Sequence, residues 1–221
     1  MEPTFRLFQL ISPSLPVGAF AYSQGLEWAV ESGWIHDQAS FEDWLRSQLT
    51  ECLTQLELPM LNAACAAIER QDWQRLQDIS RTLMAWRETK ELRQEEQLRG
   101  EALMRLLPNL GIIVPDIIRS AAQRSQVVGL AIAGAQWHIQ TKDLCRGYVW
   151  SWLENAVITG VKLIPLGQTQ GQQILHGMSS ALEQAVQSAA AIAYEDAGSS
   201  APALAIASSN HEIQYTRLFR S

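Results

Sequence analysis

The sequence predicts an all-α protein with about eight to ten helices packed in a single domain over residues 1–197. Apolar side chains recur at spacings of three and four residues along most of the chain, which is the period of an amphipathic helix. No segment shows the alternation of a half-buried strand, and the strand-like run at residues 110–114 is short and bounded by glycine and proline. With 221 residues and 47% apolar content, the chain can bury one sizeable core.

The N-terminal part is predicted to form a short helix followed by a stiff loop. Thr4 caps the helix, whose apolar side carries Phe5, Phe8 and Ile11. In the loop, two prolines fix φ at about −65° and withhold backbone N–H groups, while two glycines permit turns or a close backbone approach. Two aromatic rings lie between the glycines, so the loop either plugs the core or presents a shaped surface. In chain order these loop residues are Pro13, Pro16, Gly18, Phe20, Tyr22 and Gly25.

Three amphipathic helices are predicted next. The first covers residues 23–32 and ends at Gly33, a residue typical of a helix C-terminus. The second begins at Ser40, is interrupted or kinked at Pro59, and continues to residue 68. The third covers residues 72–86, with apolar positions again at helical spacing.

The helix predicted at residues 87–107 is dense in charge. Glu95 and Arg99 form an i,i+4 pair in the favourable order, and a solvated helical face is the default interpretation of such a run. Gly100 lies inside the pattern and lowers helix propensity, which indicates either close packing against another helix or a kink.

Further helices are predicted at residues 115–124, 129–137, 142–163 and 172–194. The second of these is rich in small residues and is predicted to be buried against its neighbours. The composition then shifts, because residues 198–209 are mostly Ala, Ser, Gly and Pro. They are predicted to be a flexible linker, which forms a C-terminal tail over residues 198–221 together with the final segment.

The last residues of the chain return to aromatic, aliphatic and basic character. Tyr215, Leu218 and Phe219 alternate with Arg217 and Arg220. Tyrosine and arginine are enriched at interface hot spots, and an exposed apolar cluster needs a partner to cover it. The tail is therefore predicted to bind a partner, and docking onto the protein's own core is the alternative.

The composition argues against several classes of protein. A net charge of −6 is unfavourable for a nucleic-acid-binding surface. Three cysteines without a CxxC pair indicate neither a zinc site nor a redox dithiol, and they fit a reducing compartment. We recognise no signal peptide and no apolar run long enough to span a membrane, so we expect a cytoplasmic protein without membrane contact.

The sequence contains no recognisable enzyme signature. The four histidines lie far apart, and none has a metal-ligating partner three or four residues away. The segment GQTQGQ at residues 167–172 lacks the GK[ST] ending of a phosphate loop, so it is predicted to be a polar surface loop or a protein contact. A helical enzyme that uses Glu91, Glu95 and Glu96 is an alternative from another class, and a generic helical adaptor is a further one.

Three separated segments together resemble the urease accessory protein family UreF. They are SPSLPVGAFAYSQGLE at residues 12–27, KLIPLGQTQGQ at residues 162–172 and HEIQYTRLFRS at residues 211–221, with weaker support from TKELR and Gly100. The resemblance extends over the whole chain in order, and the combination of motifs is specific. Four positions depart from the residues common in the family, namely Ala21, Lys162, Gln170 and Ile213.

The resemblance implies an all-helical, homodimeric maturation factor that is not an enzyme. Such a protein joins a UreD/UreH-type accessory protein and the GTPase UreG on apo-urease, and the complex inserts nickel into the urease active site. The chain itself would bind no cofactor, since nickel and GTP belong to the wider complex.

By the same resemblance, the three motifs would form partner-binding surfaces. For Glu27 an equally good interpretation is that an acid in the first turn of a helix complements the helix dipole. The candidate partner-binding residues are Pro16, Gly18, Phe20, Tyr22, Ser23, Glu27, Lys162, Gln168, Gln172, His211, Glu212, Tyr215, Arg217, Leu218, Phe219 and Arg220.

Overall fold

The computed structural model describes residues 2–221, and these residues form helices and connecting turns with no β-strand. The predicted all-α class and the single domain are confirmed. The helices are α1 (Pro3–Ile11), α2 (Leu26–Glu31), α3 (Gln38–Gln48), a π-helical segment (Leu49–Glu57), α4 (Leu58–Glu69), α5 (Trp73–Trp86), α6 (Lys90–Leu106), α7 (Asp116–Arg124), α8 (Gln126–Gln136), α9 (Thr141–Leu163), α10 (Gln168–Ala189) and α11 (Pro202–His211). None of these helices is both long and apolar enough to cross a membrane.

The core lies where α4, α8 and α9 meet the surrounding helices. Helix α9 packs against α1 and α10, α4 packs against α5 and α8, and α6 packs against α7 and α8. Every residue at positions 126–134 of α8 is buried, which confirms the prediction of a buried small-residue helix. The small residues permit this contact: a Cβ on Gly129 would lie 2.8 Å from Leu103 Cδ2, and one on Gly134 would lie 2.8 Å from Leu144 Cδ2.

The helix interrupted by Pro59 continues without a break through a π-helical segment. Proline lacks the N–H that an α-helix uses and crowds the preceding turn. The nine π-helical residues Leu49–Glu57 widen the helix just before this proline. Within them the Thr54 hydroxyl donates to the Leu49 carbonyl over 2.7 Å, a contact five residues back. The predicted extent of the helix is therefore correct, and the proline is accommodated without ending it.

Gly100 marks a close contact between helices. A Cβ there would lie 2.6 Å from the carbonyl oxygen of Gln123 and 3.0 Å from the amide nitrogen of Ser125. Only glycine fits such an approach of the α6 backbone to the end of α7. Of the two predicted meanings of Gly100, the close packing is the one observed.

The prediction of a flexible linker at residues 198–209 is wrong, because α11 occupies most of that segment. Pro202 lies in the first turn of α11, where a missing N–H costs nothing. Small side chains let α11 approach its neighbours closely: a Cβ on Gly25 would lie 3.0 Å from Ser208 N. Ser208 is fully buried, and its hydroxyl is 2.7 Å from the Thr89 hydroxyl. The expectation of flexibility counted only bulky apolar side chains and missed close packing by alanine and serine.

The segment GQTQGQ is also helical rather than a loop. Helix α10 begins at Gln168, and the Gln170 side chain accepts a hydrogen bond from Gly167 N over 2.8 Å. This bond satisfies a backbone donor at the N-terminus of α10, as a capping residue does. Gln168 and Gln172 therefore lie on the exposed side of the first turns of α10.

Candidate partner-binding site

The structure brings the N-terminal motif and the C-terminal tail together, although they are separated by most of the chain. Arg220 N donates to the Ala21 carbonyl over 2.8 Å, and Ser23 N donates to the Ser221 carbonyl over 2.7 Å. Asn155 on α9 donates to the Ala19 carbonyl over 3.2 Å, which holds the loop on the helical core. The two motifs thus form one continuous surface, which we call the loop–tail surface and which consists of residues 12–27 and 211–221.

Glu27 is the anchor of the tail. Its side chain is buried, and its carboxylate accepts the backbone N–H of Leu218 over 2.6 Å and of Phe219 over 2.9 Å. Hydrogen bonds from backbone amides to a carboxylate are stronger than those between neutral groups. Although Glu27 lies in the first turn of α2, Ser23 Oγ accepts its backbone N–H over 3.3 Å and its carboxylate serves the tail. The helix-dipole interpretation therefore does not explain where this side chain points.

His211 is fully buried between two carboxylates. Its Nδ1 lies 2.6 Å from a Glu91 oxygen, and its Nε2 lies 3.2 Å from a Glu27 oxygen. Carboxylate oxygens only accept hydrogen bonds, so both bonds form together only when both ring nitrogens carry hydrogen. The ring thereby connects α2, α6 and the end of α11.

A tail residue, Glu212, also caps the N-terminus of α6. Glu212 accepts the backbone N–H of Lys90 over 2.8 Å and of Glu91 over 3.3 Å. These amides have no partner within their own helix, and a carboxylate at a helix N-terminus is favoured by the dipole. Arg217 pairs with Glu91 over 2.8 Å and so fixes the same tail segment to α6.

A second network of buried charges connects the π-helical segment, α6 and α9. Arg87 donates to Glu57 over 2.6 Å and to Glu96 over 2.7 Å. Tyr148 donates to Glu57 over 2.5 Å, and Ser125 donates to Glu96 over 2.6 Å. Burial alone would raise the pKa of Glu57, but the Arg87 charge and the Tyr148 hydrogen bond hold that pKa below its ordinary value. Burial, followed by the nearby Glu57 charge, raises the pKa of the Tyr148 hydroxyl well above its ordinary value.

The carboxylates of α6 are therefore structural. Glu95 accepts from Arg99 and Gln24, each over 2.9 Å, and from Ser221 Oγ over 3.3 Å. Glu91 and Glu96 are likewise bonded to cations of this chain. The prediction of a solvated face is wrong for these three residues, all of which are buried. The pairing of Glu95 with Arg99 follows from their i,i+4 spacing, as predicted. Glu57 and Arg87 were absent from the predicted site, and no local pattern reveals that Arg87 meets Glu57 and Glu96.

The remaining candidate residues differ in accessibility. Phe20, Tyr215 and Leu218 are 63%, 102% and 68% exposed, so their side chains face outward from the loop–tail surface. Tyr22 is buried, so this ring has the predicted role of filling the core. Phe20 is exposed, so this ring has the other predicted role and forms part of the surface. Gly18 adopts a left-handed turn conformation, and Pro16 lies two residues before it. The Nζ atom of Lys162 lies 5.8 Å from the centre of the Phe219 ring. Gln168 and Gln172 lie on α10 and form no hydrogen bond to the tail.

Comparison with known proteins decides the family. The family model for UreF matches residues 35–179, which is more than half of the chain. The chain belongs to the UreF family. A relative named urease accessory protein UreF from Alcanivorax borkumensis is 49% identical, over 98% of this chain and 97% of its own length. A relative with the same name from Pseudomonas putida strain W619 is 46% identical, over 98% of this chain and 96% of its own length. Another, from Klebsiella pneumoniae subsp. pneumoniae, is 44% identical, over 100% of this chain and 98% of its own length.

The matches confirm the resemblance to UreF that the three motifs indicated. The family model ends before the tail and begins after the N-terminal motif, whereas the full-length relatives cover both. The alignments with these UreF relatives therefore include the residues of the loop–tail surface, although the family model does not.

Proposed function

We propose that this chain is a cytoplasmic urease maturation factor, an accessory chaperone for nickel insertion that is not itself an enzyme. The observation that carries the proposal is similarity over nearly the whole chain to relatives named urease accessory protein UreF. In this proposal the chain binds a UreD/UreH-type accessory protein and the GTPase UreG on apo-urease. Nickel and GTP are handled by the wider complex.

The form of the loop–tail surface supports a role in binding proteins. Phe20, Tyr215 and Leu218 expose apolar and aromatic groups on a backbone that buried hydrogen bonds hold in place. A partner that covers these side chains gains apolar burial without ordering the segment that carries them, and preorganisation of this kind raises affinity. The linker that was predicted to be flexible is instead helix α11, so the tail presents a surface that is already held in place.

Replacing the exposed tail side chains tests the proposal. We expect Y215A/L218A to weaken binding of the UreD/UreH-type partner by more than thirtyfold, because hot-spot side chains each contribute about 2 kcal/mol or more. The thermal midpoint should stay unchanged, because both side chains are exposed in the free chain. Calorimetric titration with the purified partner, together with urease activity in cells, measures both effects. The control is Ile117→Ala, a 56% exposed apolar side chain on α7. Full binding and activation by the double variant would contradict the proposal.

We further propose that α1 forms part of a homodimer interface. Phe5 and Phe8 are 70% and 56% exposed, and their rings form an edge-to-face pair with centroids 6.2 Å apart. The exposed pair lies on the helix that borders an apolar groove between α1, α9 and α10, lined by Leu7, Ile11, Trp150 and Leu182 among others. A second copy that covers this face would bury two aromatic rings from each protomer.

The dimer proposal predicts that F5D/F8D is monomeric. A charge placed on each ring position makes burial of the face unfavourable, while both side chains are exposed in the monomer. Light scattering over a wide concentration range should then report a dimer for the natural chain and a monomer for the double variant. I113D/I117D, which changes two exposed apolar residues elsewhere, should remain dimeric. A monomeric natural chain would refute the proposal.

A further inference from the structure

A groove with a basic lining runs along the exposed side of α6. One section, of about 900 Å³, lies between α6 and the tail, and a second, of about 540 Å³, lies between α6 and α7. The two sections lie on either side of Lys90, Gln94 and Gln97, which line both, and together we call them the α6 groove. From Lys90 to Glu101 it follows α6 for about 16 Å at a rise of about 1.5 Å per residue.

Four of the five cations that line the α6 groove lack acidic partners, and the fifth, Arg217, pairs with Glu91. Among residues 2–221, Lys90, Arg93, Arg124 and Arg220 have no carboxylate within 4.0 Å, although nine other lysines and arginines form ion pairs. Arg93 donates to the Arg87 carbonyl over 2.7 Å, and Arg124 donates to the Ser80 hydroxyl over 3.1 Å. These acceptors are neutral, so they orient the guanidinium groups without compensating their charge. The cluster stands out in a chain whose net charge is −6.

The carboxylates in the walls are already occupied. Glu91 is bonded to His211 and Arg217, and Glu212 accepts two backbone amides at the start of α6. Glu101 accepts a hydrogen bond from Gln97 over 2.9 Å and lies 4.0 Å from Arg105. The charge that the groove offers to a ligand is therefore positive. The two exposed apolar side chains in its lining are Leu98 and Leu218.

We propose that the α6 groove binds an acidic segment of a partner protein. Carboxylates of such a segment would meet Lys90, Arg93 and Arg124 in the section beside α7. In the section beside the tail, a carboxylate would meet Arg220 and an apolar side chain would cover Leu98. About five extended residues, at about 3.3 Å each, match the length of the groove. A nucleic-acid backbone fits less well, because its row of phosphates offers no apolar side chain to cover Leu98 and Leu218. This inference adds a second contact to the proposed function, and its test changes residues of α6 and α7 that lie outside the three motifs.

Binding of a labelled peptide tests the inference. The probe is a fluorescein-labelled peptide of six glutamates with one central leucine, measured by fluorescence anisotropy with the purified chain. We expect saturable binding that weakens as salt rises, and at least a tenfold loss of affinity in R93E/R124E. The matched control is R46E/R70E, which reverses two exposed cations that also lack a carboxylate partner, and it should bind within about twofold of the natural chain. Circular dichroism checks that both variants remain folded.

Three results would overturn the inference. They are equal peptide affinity in the two double variants, no saturable binding by the natural chain, and tighter binding of a single-stranded RNA of equal charge than of the peptide. The assay uses the purified chain alone, so its failure is distinct from a failure of the urease role, which the tail variants test through the UreD/UreH-type partner and urease activity.

Discussion

Replacing Arg87 with methionine is expected to lower the free energy of unfolding by about 3–5 kcal/mol, because two buried carboxylates then lose their cation. Arg87 lies 2.6 Å from Glu57 and 2.7 Å from Glu96, and all three side chains are at most 13% exposed. Urea denaturation at neutral pH measures the loss. The control Arg81→Met removes an exposed arginine that pairs with Asp78, and it should cost less than about 1 kcal/mol.

The effect of Arg87→Met should depend on pH in a defined direction. Folding lowers the pKa of Glu57, so this residue stabilises the folded state above its ordinary value of 4.5. That contribution disappears as the pH falls through the lowered folded value, when Glu57 takes up a proton. The difference in stability between the natural chain and the variant should therefore narrow on acidification. A difference that stays constant or widens from neutral pH to about pH 3 would show that the Arg87 charge is not what stabilises ionised Glu57.

Replacing Glu27 with glutamine is expected to release the tail and to weaken partner binding more than a hundredfold. The carboxylate accepts two backbone amides and faces His211, and each hydrogen bond to a charged group contributes about 1.5–3 kcal/mol. A glutamine amide has a single oxygen, and its NH₂ group would face donors rather than acceptors. The isosteric change therefore keeps the shape of the side chain and removes the charge and one of the two oxygens that accept the amides of Leu218 and Phe219.

Hydrogen exchange distinguishes release of the tail from general unfolding. The amides of Leu218 and Phe219 should lose protection in Glu27→Gln, while the amides of buried helix α8 keep theirs. Glu31→Gln is the control, since it alters an exposed acid of the same helix that accepts a hydrogen bond from the Gln214 side chain rather than from the amides of Leu218 and Phe219. Unchanged protection of the two tail amides, with full partner binding, would show that Glu27 does not anchor the tail.

The sequence by itself predicted the helical class because helix periodicity is a local property. Spacings of three and four residues identified most helices, and the small residues of α8 correctly indicated a buried helix. Gly100 correctly indicated an unusual site on α6. The three motifs indicated the UreF family, which the comparisons confirm. Each of these predictions depends on residues that are close in sequence or on a pattern read along the chain.

Only the tertiary structure decided how the charged and polar residues are used. A glutamate on an amphipathic helix has the same local pattern whether water or a distant arginine faces it, so the burial of Glu95 and Glu96 was not predictable from α6 alone. The docking of the tail has the same cause, because Glu27 meets Leu218 and Phe219 from the other end of the chain. Packing of α11 at Gly25 likewise depends on the fit of two backbones. Ion pairs and close approaches form between residues that folding brings together, and their energies depend on the low dielectric and close packing found only in the folded protein.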